Sequence, residues 1–155
     1  MSFKKKKVGI LILEILNRKD KCYMDKEYYQ ALSNIRLERA KELLQEAKDL
    51  LKRESYKSAN NRAYYAIEKG LNALLATVEI ETSTHNGCLK QFNYQFIHNG
   101  DGTFLREDYQ KAATAEHIRN ISDYDDFYIA SKDETKEQVE NAEYLLNKIE
   151  EYLEK

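Results

Sequence analysis

The chain has 155 residues, which is the usual size of one domain. Hydrophobic residues make up 42% and charged residues 34%, so the composition is too apolar for general disorder and too charged for a bundle of membrane helices. Proline is absent and only five glycines occur, which leaves little turn chemistry for a β-sandwich or barrel and predicts an all-α protein.

The distribution of charge is uneven. The net charge of −2 gives no overall cationic field that would indicate nucleic-acid binding. Residues 1–21 nevertheless hold seven basic and two acidic side chains, whereas residues 122–155 hold four basic and eleven acidic ones. The basic segment 1–21 could attract phosphate or an anionic surface, but a lysine-rich terminus more often only keeps a chain soluble.

The N-terminal segment and the two cysteines indicate the cellular compartment in which the protein is expected. Lys4–Lys7 and the apolar run Val8–Leu16 imitate a secretory signal, but Glu14 interrupts the run and no small-residue cleavage site follows. Cys22 and Cys88 have neither a close partner nor metal-ligand spacing, which fits a reducing compartment. We therefore expect a cytoplasmic protein with no membrane association, no metal site and no cofactor.

The first 24 residues are expected to form a segment apart from the rest of the chain. Residues 5–17 can form a short basic helix, and the polar stretch Asp20–Asp25 predicts a break after it. A helical bundle is then expected to occupy residues 25–155.

Apolar residues at spacings of three and four predict the helices of this bundle. The predicted helices cover residues 25–53, 56–78, a stretch capped by Thr84, 106–121 and 132–153, with an irregular segment at 122–131. The core is predicted to contain Leu43, Leu44, Ala47, Leu50, Ala63, Ile67, Leu71, Leu74, Phe92, Phe96, Leu146 and Ile149. The pattern indicates an up-and-down bundle of four to five main helices with a short basic N-terminal helix.

Two segments in the middle of the chain could carry chemistry. Arg62, Tyr64 and Tyr65 form either the polar rim of a core helix or an aromatic face at a partner surface. His85 stands at the predicted start of a helix, where free backbone N–H groups favour anions. It could contact phosphate there, or it could only support the cap.

A third polar segment lies near the end of the 106–121 helix. Arg119 and Asp123 are four residues apart and can pair on one helical face. This pair either closes the end of the helix or presents a preorganised cation for a phosphodiester. The chain contains no Ser-His-Asp set, metal-binding motif or phosphate-binding glycine loop.

Taken together, these segments resemble the HEPN family (higher eukaryotes and prokaryotes nucleotide-binding domain). The resemblance covers roughly residues 35–150. Its motifs are Arg-Ala-Tyr-Tyr-Ala at 62–66, Thr-His-x-Gly at 84–87, Phe92 to Gly100, and Arg119-x-x-x-Asp123-Tyr124.

The resemblance implies a bundle of four to five helices that forms a homodimer and works beside RNA or nucleotides. Many relatives are metal-independent ribonuclease toxins, often encoded beside a minimal nucleotidyltransferase that neutralises them. In those relatives an arginine holds the scissile phosphate, and a histidine four to six residues further on assists proton transfer. The resemblance makes Arg119, Asn120, Asp123 and Tyr124 the candidate catalytic residues, and Arg62, Tyr64, Tyr65 and His85 are candidate binding residues.

The chain departs from the family pattern at two places. Tyr124 stands five residues after Arg119, and no histidine follows before the end of the sequence. Ile67-Glu68-Lys69 occupies a place where relatives commonly carry an aromatic residue and a histidine. A tyrosine is a poor base at neutral pH, so two hypotheses remain: a toxin-like protein that acts on or binds RNA, and a non-catalytic module that binds a nucleotidyltransferase or a nucleotide.

Overall fold

The computed structural model describes the backbone of residues 3–155 and the side chains of residues 9–14, 16–18 and 25–155. Five α-helices follow one another: α1 (Phe3–Lys52), α2 (Tyr56–Thr77), α3 (His85–Phe92), α4 (Arg106–Tyr124) and α5 (Lys132–Leu153). A π-helical segment, Asn93–His98, continues directly from α3. Residues 3–155 contain no β-strand, and the predicted all-α bundle is confirmed.

Helix α1 runs without interruption through the stretch where the sequence predicted a break. The expectation of a separate short helix over residues 5–17 and a polar break at Asp20–Asp25 is therefore wrong. The charged residues of that stretch are compatible with a helix, and no glycine or proline lies between Gly9 and Gly70 to end one. Polarity alone did not stop the helix.

Helix α2 lies at the centre of the bundle and packs against α1, α3, α4 and α5. Its small residues let a neighbouring helix approach closely, as their spacing predicted. A Cβ placed on Gly70 would lie 2.5 Å from Leu146 Cδ2 and 3.0 Å from Ile149 Cδ1, so α5 occupies the space that the missing side chain leaves. Close packing explains why a glycine stands inside this helix.

The core forms where the apolar faces of these helices meet. All the predicted core residues are buried except Leu50, which is partly exposed, while its neighbour Leu51 packs against the core. A one-residue error on a helix turns a side chain by about 100°, which is enough to move it out of the core. The sequence also did not predict Phe104, which is buried and packs edge-on against Phe92 and Phe96.

The first half of α2 and the second half of α4 run antiparallel and pair through polar side chains. Asn60 Nδ2 donates to Ser122 Oγ at 3.4 Å, and Asn61 Nδ2 donates to Asp123 Oδ1 at 2.7 Å. This register places Tyr65 opposite Arg119. Among the described residues, no helix combines the length and the apolar character needed to cross a membrane.

Candidate functional site

The Arg119 guanidinium lies between α2 and α4, and polar groups from both helices hold it. Its Nη2 donates to the Tyr65 hydroxyl at 2.7 Å, and its Nη1 donates to Asn120 Oδ1 at 2.9 Å. Its Nε lies 3.4 Å from Asp123 Oδ2 as the predicted i,i+4 pair. The side chain is only 11% exposed, so its orientation is fixed from three directions.

Two tyrosine rings flank the same guanidinium. Its Cζ lies 5.3 Å from the centroid of the Tyr65 ring and 5.8 Å from that of the Tyr124 ring. Both distances fall within the range of cation–π attraction. Tyr124 itself is 77% exposed, so a ligand reaching Arg119 from solvent would meet an accessible aromatic face.

The protein contacts leave part of the guanidinium unused. A guanidinium has five N–H donors, and in the described part of the chain only one on Nη1 and one on Nη2 is hydrogen-bonded. The buried Nε has no aligned hydrogen-bond acceptor there either, although Asp123 is near. Each terminal nitrogen thus retains one donor for an external acceptor.

Arg119 remains charged despite its burial. Partial burial disfavours the cation, but the Tyr65 hydrogen bond and the Asp123 carboxylate outweigh that cost and raise the pKa of Arg119 above its ordinary value. Asp123 is itself fixed by Asn61, which was not among the predicted site residues. The result is a preorganised cation in a polar setting.

A second polar group adjoins this one at the start of α3. His85 Nδ1 lies 2.7 Å from Glu68 Oε1, and Thr84 caps the helix by accepting from the Gly87 N–H at 3.0 Å. The His85 ring packs edge-on against Tyr64, with centroids 5.4 Å apart, and lies 6.1 Å from the Tyr65 ring. Tyr65 therefore neighbours both Arg119 and His85.

Buried groups beneath this cluster are held in their neutral forms. Burial, with the nearby Glu68 and Glu116 carboxylates, strongly raises the pKa of Tyr64. Burial also raises the pKa of the Cys88 thiol to about 12, so this cysteine is not a nucleophile at neutral pH. Both side chains support the site rather than react in it.

The structure brings most of the sequence-predicted site residues together. Arg119, Asn120, Asp123, Tyr124 and Tyr65 form one cluster, and Tyr64 and His85 adjoin it. Only Arg62 lies apart from them.

Arg62 points to a different neighbour, because its Nε lies 3.1 Å from Glu46 Oε2 on α1.

Sequence reasoning missed two residues of the site, Asn61 and Glu68. The signal that could have found them is helical spacing, since both fall on one stripe of α2 with Tyr65.

No set of three or more His, Cys, Asp or Glu side chains in the described part of the chain could hold a metal ion.

Comparison with known proteins identifies the family. The HEPN domain matches residues 33–152. A UPF0332 protein of Thermotoga maritima is 36% identical over 117 residues, which cover 75% of this chain and 86% of the relative. A Methanocaldococcus jannaschii protein named "putative toxin" is 30% identical over 130 residues, covering 84% of this chain and 86% of the relative.

A second Methanocaldococcus jannaschii protein with the name "putative toxin" is 35% identical over 100 residues, covering 64% of this chain and 69% of the relative. The matched region contains α2, α3 and α4, all but the last residue of α5, and residues 33–52 of α1, and with them every residue of the Arg119 cluster. The chain belongs to the HEPN family.

Proposed function

We propose that this chain is a toxin-like component of a two-component toxin–antitoxin or defence module, and that it acts on or binds RNA in the cytoplasm through the Arg119 cluster. Two relatives carry the name "putative toxin", which supports the first part of this proposal. The geometry of Arg119 supports the second.

The unused donors of Arg119 are the observation that carries the RNA proposal. One N–H on each terminal nitrogen is left over after Tyr65 and Asn120 are satisfied, and two donors of one guanidinium can bind two oxygens of a phosphate group. Because the protein already fixes the guanidinium, little conformational entropy is lost when an anion binds.

The surroundings of the guanidinium select the kind of anion. Asp123 offsets its charge, so recognition depends on directed hydrogen bonds more than on a broad cationic field. The exposed Tyr124 ring offers a surface on which a base can stack. A phosphodiester with an unpaired base beside it satisfies both features, which favours single-stranded RNA.

A second candidate function is a non-catalytic module that binds a partner protein, such as a minimal nucleotidyltransferase. The end of α4 and the segment after it favour this function, because Tyr124, Phe127 and Ile129 are 77%, 94% and 87% exposed next to the site. Exposed large apolar side chains in one segment are typical of a protein-binding surface. The first partner we expect there is a second copy of the chain.

The homodimer gives a direct prediction. Sedimentation equilibrium of the wild-type chain at micromolar concentration should give the dimer mass, and Phe127→Asp should shift the chain to the monomer. Ile35→Asp serves as the control, because Ile35 is also exposed but lies on α1. A monomeric wild type at high micromolar concentration would contradict the proposal.

Controlled expression in a bacterial host tests the toxin-like function. Induction of the wild-type chain should arrest growth, and co-expression of a nucleotidyltransferase encoded next to it should relieve the arrest. Growth at the normal rate under strong induction, with the folded protein present in the cell extract, would refute the toxin-like role. If a partner protein that co-purifies with the chain relieves the growth arrest, and cellular RNA does not change during the arrest, the result would favour the binding module instead.

A further inference from the structure

The His85–Glu68 pair has the arrangement of a proton-transfer group. Nδ1 of the ring is fixed by the Glu68 carboxylate at 2.7 Å, and in the described part of the chain Nε2 takes part in no hydrogen bond. A carboxylate on one ring nitrogen sets the tautomer and leaves the other nitrogen to exchange a proton. Glu68 is only 16% exposed, whereas His85 is 38% exposed and reachable from solvent.

The pair and Arg119 share one neighbour, the Tyr65 ring, which lies 6.1 Å from the His85 ring and 5.3 Å from Arg119 Cζ. This spacing is compatible with a ribose that contacts His85 while its adjoining phosphate contacts Arg119. The other two histidines are not placed in this way. His98 is exposed and stacks on Tyr94, and His117 is exposed on α4 although Arg119 on the same helix is mostly buried.

We infer that His85 is the residue that moves the proton when this chain cleaves RNA, and that Glu68 positions it. This inference rests on the proposed action on RNA. His85 Nε2 accepts the proton of a ribose 2′-hydroxyl while Arg119 holds the two non-bridging oxygens of the adjoining phosphate.

The bonds and protons balance without any further cofactor. The 2′-oxygen forms a bond to phosphorus, the bond from phosphorus to the 5′-oxygen breaks, and the leaving oxygen takes a proton from water. The imidazolium then neutralises the hydroxide that remains. The products are a 2′,3′-cyclic phosphate and a 5′-hydroxyl end.

The test uses the full chain and two probes, a short mixed-sequence single-stranded RNA and the same strand with 2′-deoxyribose. His85→Asn keeps an amide where Nδ1 meets Glu68 but removes Nε2. Its kcat should fall by about 10²-fold or more, since general base catalysis contributes that much. Its affinity for the uncleavable deoxy strand should change less than threefold, and added imidazole should restore part of the rate.

Two further variants distinguish a positioning role of Glu68 from a general effect on the fold. Glu68→Gln should lower kcat by about 10-fold with an unchanged KM, because a neutral amide supports the imidazolium less well than a carboxylate does. His98→Asn is the matched control and should cleave like the wild type. Circular dichroism and the melting temperature confirm that each variant is folded.

The outcomes distinguish this inference from the function on which it rests. If His85→Asn cleaves like the wild type while Arg119→Ala does not cleave, His85 is not the proton-transfer residue and the RNA function stands. If the wild type binds RNA without cleaving it, the inference also fails and only binding remains. If the wild type binds no RNA, both proposals fail.

Discussion

Arg119→Ala should abolish growth inhibition by the induced chain and lower its action on RNA by about 10²-fold or more. Removal of one preorganised donor group from a charge-binding site has effects of that size, and Arg119 supplies the cation and both free donors of the site. Growth curves and the rate of RNA cleavage or the affinity for RNA measure the loss. Arg119→Lys should restore little activity, because an ammonium keeps the charge but lacks the planar fork.

The fold should survive the loss of Arg119. Asp123 keeps its hydrogen bond from Asn61 and is accessible to water, so removal of the guanidinium does not leave a buried unpaired charge. We expect the free energy of unfolding to fall by only about 1 kcal/mol. A large drop in stability together with activity would instead make Arg119 a structural residue that closes the end of α4.

Asp108→Ala should be the most destabilising polar substitution in the described part of the chain. Asp108 is 1% exposed, and its Oδ2 accepts from the Leu105 N–H at 2.8 Å and from Lys148 Nζ at 2.7 Å. Alanine removes the N-terminal cap of α4 and leaves the mostly buried Lys148 ammonium without its partner. Breaking one side of a buried ion pair costs about 3–5 kcal/mol, so urea denaturation should show a loss of that size.

Two controls define what the Asp108 result means. Glu107→Ala removes an exposed acid from the same turn and should change the free energy of unfolding by less than about 0.5 kcal/mol. Asp108→Ala combined with Lys148→Met should recover much of the loss, because neither charge then remains buried alone. A single Asp108→Ala change as mild as Glu107→Ala would show that this pair does not hold α4 on α5.

The sequence predicted the helices well because helical periodicity is a local property. The spacing of Leu43, Leu44 and Ala47 identifies the buried face of α1 without knowledge of its partner. The break near Asp20 was wrong, since charge density is not a helix stop signal when glycine and proline are absent. The prediction of Leu50 as a core residue was wrong because Leu51, one position further and about 100° round the helix, is the residue that packs against the core.

The site was predictable only in part. Arg119, Asp123 and Tyr124 lie on one helix, so their spacing and the family motif were enough to group them. Asn61 and Glu68 join the site through contacts with α4 and α3, and those contacts depend on the register between helices. Helical spacing places both on the stripe of α2 that carries Tyr65, but a single sequence does not specify the register that brings this stripe against α4 and α3.

The most direct test of the account is a binding titration with a labelled single-stranded RNA at several salt concentrations. The wild type should bind, and Arg119→Ala should bind more weakly with a slope of log K against log salt smaller by about 0.7, which corresponds to one lost phosphate contact on a single strand. Arg39→Ala removes an equal charge that faces Glu42 and Glu46 on α1 and should leave the slope unchanged. Equal affinities and slopes for the wild type and Arg119→Ala would show that Arg119 does not contact the RNA backbone.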